Sequence, residues 1–178
     1  KACLACTGTT MARTREIMLE IYGQDFPYDK YAKEASLMYH EKYDGGRLPV
    51  KPGVRELLKF LKEQEKKIAL ASSTRTATVV SQLKDAGIFD FFDVVKRSKP
   101  APDIFLKACS ELGTEPAKAY VAEDSYNGIR AAHAGGLRPL MVIDTLPANE
   151  EMREISEAVF ESLLEVREYL KEKSEIHA

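Results

Sequence analysis

The chain has 178 residues, 44% of them hydrophobic, with 26 basic and 28 acidic side chains and a formal net charge of −2. That length and apolar content suffice for the core of one ordinary domain with a small lobe, and the interspersed, nearly balanced charge carries no basic footprint for nucleic acid. No apolar run approaches the roughly 20 residues that span a bilayer, and the N-terminus has no long apolar signal core, so neither a membrane span nor an export signal is expected. Cys3, Cys6 and Cys109 make an odd count that suits a reducing, cytoplasmic setting better than a disulfide framework.

Two helices are predicted first, over residues 11–22 and 29–43. Ile17, Met18 and Ile21 share one side of the first, and Tyr31, Ala35 and Met38 stand at helical spacing in the second. The turn between them spans residues 23–27, and residues 44–49, with adjacent glycines beside a proline, read as a hinge that closes a helical lobe. Beyond the hinge the period alternates. Helices are predicted over 54–65, 76–86, 103–112, 127–134 and 162–173, and strands over 67–71, 92–95, 119–122 and 140–143. Such alternation predicts an α/β fold: a Rossmann-like parallel sheet with helices on both faces, a small helical cap, and functional groups at the carboxyl ends of the strands.

Three junctions carry candidate chemistry. The strand ending Ala69-Leu70-Ala71-Ser72 runs into a hydroxyl cluster that opens a helix, where free N–H groups and the Ser72 hydroxyl suit a phosphate. Helix capping by Ser73 or Thr74 is the simpler explanation of that cluster alone. In Ser98-Lys99-Pro100-Ala101-Pro102-Asp103 two prolines stiffen the turn that holds Lys99, a fixed ammonium able to neutralise a phosphoryl group, although a lone surface lysine before a helix is common. In Val121-Ala122-Glu123-Asp124-Ser125 two carboxylates follow an apolar strand, which suits Mg²⁺ with its few acidic ligands, waters and phosphate oxygens. Capping by Asp124 or Ser125 explains one polar residue there but not Glu123 beside it.

Taken together in this order, the three junctions resemble the second, third and fourth motifs of the haloacid dehalogenase superfamily, in its helical-cap, β-phosphoglucomutase-like branch. Val50-Lys51-Pro52-Gly53-Val54 resembles that branch's re-entry into its core, and Gly128-Ile129-Arg130-Ala131-Ala132 its helix after the fourth motif. The resemblance implies a cap over residues 3–48 and a core over 49–178, with residues 1–2 a remnant of the first strand. It implies a Mg²⁺-dependent phosphatase acting on a small phosphorylated metabolite through an aspartyl-phosphate, with no nucleic-acid or membrane partner. Ser72 is then expected to bind phosphate, Lys99 to hold the nucleophile and phosphate, and Asp124 with Glu123 to bind Mg²⁺. Ser73, Thr9 and Thr10 are expected to face the substrate, Thr10 being equally suited to cap a helix.

The family's first motif, a strand ending in Asp-x-Asp, should precede the cap, yet the first aspartate here is Asp25. In the family that strand lies mid-sheet, so its absence is expected to split the sheet and leave ladder groups without partners. Two explanations stand: residues are missing between Ala2 and Cys3 and between Val95 and Lys96, or the protein is a degenerate member that binds without catalysing. A mutase is a further alternative. It is disfavoured by Met11, where β-phosphoglucomutases commonly place an arginine, although Arg13 or Arg15 could approach from the next turn.

Overall fold

The computed structural model describes residues 5–6, 9, 11–72, 74–97 and 103–176. Helices α1 (Met11–Tyr22) and α2 (Tyr28–Tyr43) pair as the sequence predicts. Between them Met18 and Tyr28 are buried, with Cys6, Phe26 and Ala32 packed against them, so this lobe has its own small core. It touches the remainder through the amide of Gln82, which donates to the Tyr39 hydroxyl at 3.2 Å.

The chain re-enters the larger part at Gly53, whose φ is +86° and whose added Cβ would lie 2.8 Å from the Leu164 nitrogen. Only glycine fits both conditions. Helix α3 (Val54–Glu63) follows. It is amphipathic in two directions: Leu57 packs with Leu140 and Val166, Leu58 packs with Ile68 and Ile88, and Leu61 touches both groups.

Strand β1 (Ala69–Ser72), helix α4 (Thr76–Asp85), strand β2 (Val94–Arg97) and helix α5 (Asp103–Leu112) come next. They are followed by β3 (Tyr120–Glu123), α6 (Tyr126–Ala134), β4 (Arg138–Val142), α7 (Glu150–Ile155), β5 (Ala158–Phe160) and α8 (Leu163–Ile176). Every pairing is parallel, but the sheet is in two pieces: β1 with β2, and β3–β4–β5 in that order. Helix α3 spans the two pieces through its double packing. Helix α5 does the same, lying against β1 and β2 while Phe105, Leu106 and Cys109 pack with Val121 and Leu137. Among the described residues the pieces are thus held by shared helices rather than by a continuous ladder, in keeping with the split sheet expected from the sequence.

Several boundaries differ from the reading of the sequence. Strand β2 starts two residues late because Phe89–Phe91 form a 3₁₀ turn and Asp93 is occupied otherwise: its carboxylate accepts the Ile68 N–H at 2.8 Å, and its own N–H donates to the Ile68 carbonyl at 2.8 Å. Val95 and Lys96 are consecutive residues of strand β2, opposite Leu70 and Ala71. The Ala2–Cys3 junction lies outside the described residues. Strand β5 and helix α7 were not anticipated at all.

At the amino end of the three-stranded piece, Arg138 stacks over the Tyr120 ring at 4.2 Å and pairs with Glu157, which also accepts from the Tyr169 hydroxyl at 2.6 Å. Burial and the neighbouring Glu157 carboxylate push the Tyr169 phenol well above its ordinary value, and it stays a donor. This network closes that end of the sheet. The opposite, carboxyl end carries the candidate chemistry.

Candidate active site

The site is built where β3 meets α6. Glu123 is the last strand residue, Asp124 follows, and Ser125 is the N-cap of α6. Ser125 is only 4% exposed, and its Oγ accepts the Gly128 N–H at 3.1 Å. Ser125 therefore supplies the cap, and Asp124 is not needed for it.

Glu123 turns back rather than outward. Its Oε1 accepts the Ser125 O–H at 2.5 Å and the Ser125 N–H at 3.4 Å. Burial pushes the Glu123 carboxyl up, the hydrogen bond from the Ser125 hydroxyl pulls it back, and the charge of Asp124 adds to the rise.

Asp124 lines a cavity of about 410 Å³ at the carboxyl ends of β3 and β4, together with Lys51, Pro52, Asp144, Glu161 and Ser162. Lys51, from the segment after the hinge, is ion-paired with Asp144, the second residue after β4. The loop bearing Asp144 is anchored twice: the Tyr126 hydroxyl donates to the Pro147 carbonyl at 2.6 Å, and Asn149 caps α7 by accepting the Met152 N–H at 2.8 Å.

Of the residues the sequence singled out, Glu123 and Asp124 share this cavity, although the Glu123 carboxylate is engaged by Ser125. Ser72 ends β1 in the other piece of sheet and does not line it. The Ser72 hydroxyl accepts the Thr74 N–H at 3.1 Å, and the N-cap of α4 is Arg75, so Thr74 does not cap that helix. Thr9 is held within the helical lobe, its hydroxyl donating to the Cys6 carbonyl at 2.8 Å and sharing a 2.9 Å hydrogen bond with Thr14. Lys99, Ser73 and Thr10 lie outside the described residues.

Lys51, Asp144, Glu161 and Ser162 were not identified as site residues. Asp144 was findable by the rule that picked Asp124, a carboxylate just beyond an apolar strand, whereas Lys51 and Glu161 arrive from distant segments. Cys3 and Cys6 stand at C-x-x-C spacing, which the odd cysteine count obscured; Cys3 is outside the described residues.

The donor set suits a hard cation. Among the described residues no group of three or more His, Cys, Asp or Glu side chains is arranged to hold a metal. Mg²⁺ commonly takes only one or two protein carboxylates and completes its shell with water and substrate oxygens. Asp124 on an open cavity fits that demand.

A family model for haloacid dehalogenase-like hydrolases matches residues 10–136. The chain is 29% identical over 171 residues to a bifunctional riboflavin kinase/FMN phosphatase of Arabidopsis thaliana, covering 92% of this chain and 44% of that protein. It is 34% identical over 128 residues to a phosphorylated carbohydrates phosphatase of Thermotoga maritima, covering 68% of this chain and 59% of that protein. The chain thus spans about half the length of these relatives. A solved β-phosphoglucomutase of Clostridium difficile superposes on 99% of this chain and 82% of its own, with a TM-score of 0.77 at 24% identity.

Proposed function

This chain belongs to the haloacid dehalogenase-like hydrolase family, and from that premise we propose that it provides the cap and metal-binding end of a Mg²⁺-dependent phosphatase for a small phosphorylated metabolite. The observation that carries this reading is Asp124, placed on a capped turn at the carboxyl end of β3 and facing a cavity large enough for a phosphate ester. The similarity to phosphatases supports the reaction class.

In this reading residues 3–48 are the cap, residues 49–178 the core, and residues 1–2 the remnant of its first strand. Asp124 holds the metal. Lys99 fixes the reacting phosphoryl group and the nucleophile, Ser72 donates to phosphate, and Ser73, Thr9 and Thr10 face the substrate. The reading requires an aspartate nucleophile, for which no residue before Asp25 is a candidate. Its carboxylate oxygen bonds to phosphorus as the ester P–O bond breaks and the leaving alkoxide takes up a proton. Water then cleaves the aspartyl-phosphate and releases inorganic phosphate. Bound Mg²⁺ supplies charge neutralisation at the phosphoryl oxygens.

Hydrolysis is favoured over phosphoryl relocation by Met11, which stands where β-phosphoglucomutases commonly place an arginine for a second phosphate. The test is product analysis on the full-length protein with Mg²⁺, using a panel of aryl, sugar and nucleotide phosphate monoesters. Free phosphate that is lost with EDTA is the expected result. Isomerised sugar phosphate with little free phosphate identifies a mutase, and no turnover of any ester removes the catalytic reading.

A further inference from the structure

The cavity at the carboxyl ends of β3 and β4 is lined by four acidic residues, Glu123, Asp124, Asp144 and Glu161, and among the described residues by one basic side chain, Lys51. Such a lining attracts a dication and repels a phosphate ester, because an entering anion meets like charge on most sides. Lys51 is the exception. Its backbone is fixed: Pro52 restricts it from the following position, its carbonyl accepts the Val54 N–H at 3.3 Å, and Gly53 seats the turn against Leu164. The ammonium, by contrast, stands at the end of a flexible stem, and the side chain is 60% exposed.

Lys51 is ion-paired with Asp144, and the two partners are not held alike. The loop that carries Asp144 is tied down by the hydrogen bond from the Tyr126 hydroxyl to the Pro147 carbonyl and by the Asn149 cap of α7, a helix that Arg130 also grips through its two hydrogen bonds to Glu151. Asp144 therefore stays while Lys51 can swing. The pair is open to water on both sides, so parting it costs little, and Asp144, 39% exposed, is resolvated when its partner leaves. A doubly charged phosphate monoester competes for the ammonium on better than equal terms with a single carboxylate.

We propose that Lys51 is a substrate-binding residue of this cavity, held in reserve by Asp144: its ammonium passes from the carboxylate to an anionic oxygen of the phosphate ester as the ester enters. The inference rests on the phosphatase reading and deepens it by naming a further cation for the substrate, one that the three motif junctions do not contain. Lys51 makes this contact in the bound ester and in the transition state alike, so it lowers KM and leaves kcat nearly unchanged. Asp144 has the opposite effect, since it is the competitor that the substrate must displace.

The test is steady-state kinetics on the full-length protein at saturating Mg²⁺, with an aryl phosphate monoester as substrate and inorganic phosphate as competitive inhibitor. Lys51→Met is expected to raise KM and the inhibition constant of phosphate by about 5–20-fold, between the scale of an exposed ion pair and that of a hydrogen bond to a charged group, with kcat within about twofold of wild type. Asp144→Asn is expected to lower both constants by about 2–5-fold, the scale of one exposed pair. The double variant Lys51→Met/Asp144→Asn should lose that gain, because no ammonium is left to release.

The signs discriminate. A pair that only braces the cavity wall is lost equally in either single variant, so KM shifts of the same direction and size in both overturn the proposal. An active Lys51→Met enzyme with wild-type KM and phosphate inhibition overturns it as well. A gain from Asp144→Asn that persists in the double variant comes from the lost negative charge alone and overturns the exchange of partners. A wild type that hydrolyses no ester overturns the phosphatase reading and, with it, the role assigned to Lys51.

Discussion

Gly128→Ala offers a sharp perturbation, because helix propensity and packing predict opposite signs. Position 128 lies inside α6, where replacing glycine by alanine stabilises an exposed helix by about 0.8–1 kcal/mol. Here the new methyl would stand 2.1 Å from a carboxylate oxygen and 2.3 Å from two carbons of Glu123, far inside ordinary contact. The Glu123 side chain must leave, with loss of its hydrogen bonds from Ser125. Overpacking of this kind costs about 1–3 kcal/mol, and a hydrogen bond to a charged group contributes about 1.5–3 kcal/mol. The packing terms win, for a net destabilisation of about 2–4 kcal/mol, or a Tm lowered by about 4–16 °C for a chain of this size. Thermal unfolding followed by circular dichroism reads it. The double variant Glu123→Ala/Gly128→Ala should recover much of the loss, because truncation removes the obstacle and the two positions are strongly coupled. A single variant as stable as wild type, or more stable, would refute the packing described at this turn.

Met141→Ala should lower stability by about 2–5 kcal/mol in urea unfolding, because Met141 is fully buried with Ile129 and Met152 and its truncation leaves a cavity there. The Lys62 ammonium and the Ile68 N–H hold the Asp93 carboxyl below its ordinary value. Its stabilisation is therefore present above the unfolded-state pKa of about 3.9 and is lost as pH falls through the depressed folded value. Tm measured from pH 6 downward should fall less steeply below about pH 4 in Asp93→Asn than in wild type, by a modest amount since the pair is partly exposed. Lys51→Met should change urea stability by less than about 1 kcal/mol, because its pair with Asp144 is open to solvent. A larger loss would make that pair a structural anchor of the cavity wall.

What the sequence displayed was whatever has a period or a fixed chemical consequence. The helices of the cap-like lobe, the hinge and four of the strands follow from apolar spacing and from glycine and proline. The turn bearing Asp124 follows from carboxylates placed after an apolar strand. The elements that escaped are short: β5 has three residues and α7 has six, too few for a periodic signal, and both are fixed by what they meet, Val159 and Met152 closing around Met141. Strand β2 was displaced by two residues because Asp93 serves Ile68 through its side chain, a tertiary contact with no local signature. The orientation of Glu123 was equally hidden. Sequence shows two adjacent acids, whereas the inward turn of one depends on Ser125 and on the missing side chain at Gly128. The cavity's Lys51 and Glu161 come from segments some seventy residues or more away from Asp124 or from a different strand end, and only the fold brings them together.

The central claim, that Asp124 is the metal-binding carboxylate of a phosphatase, is tested most directly by the rate of Mg²⁺-dependent phosphate release from a monoester substrate by full-length wild type and Asp124→Ala, both shown to be folded. Removing one preorganised electrostatic group is predicted to lower kcat by about 10²–10³-fold, with the residual rate no longer responding to added Mg²⁺. A variant that releases phosphate at the wild-type rate, with the same Mg²⁺ dependence, would contradict the assignment of the site.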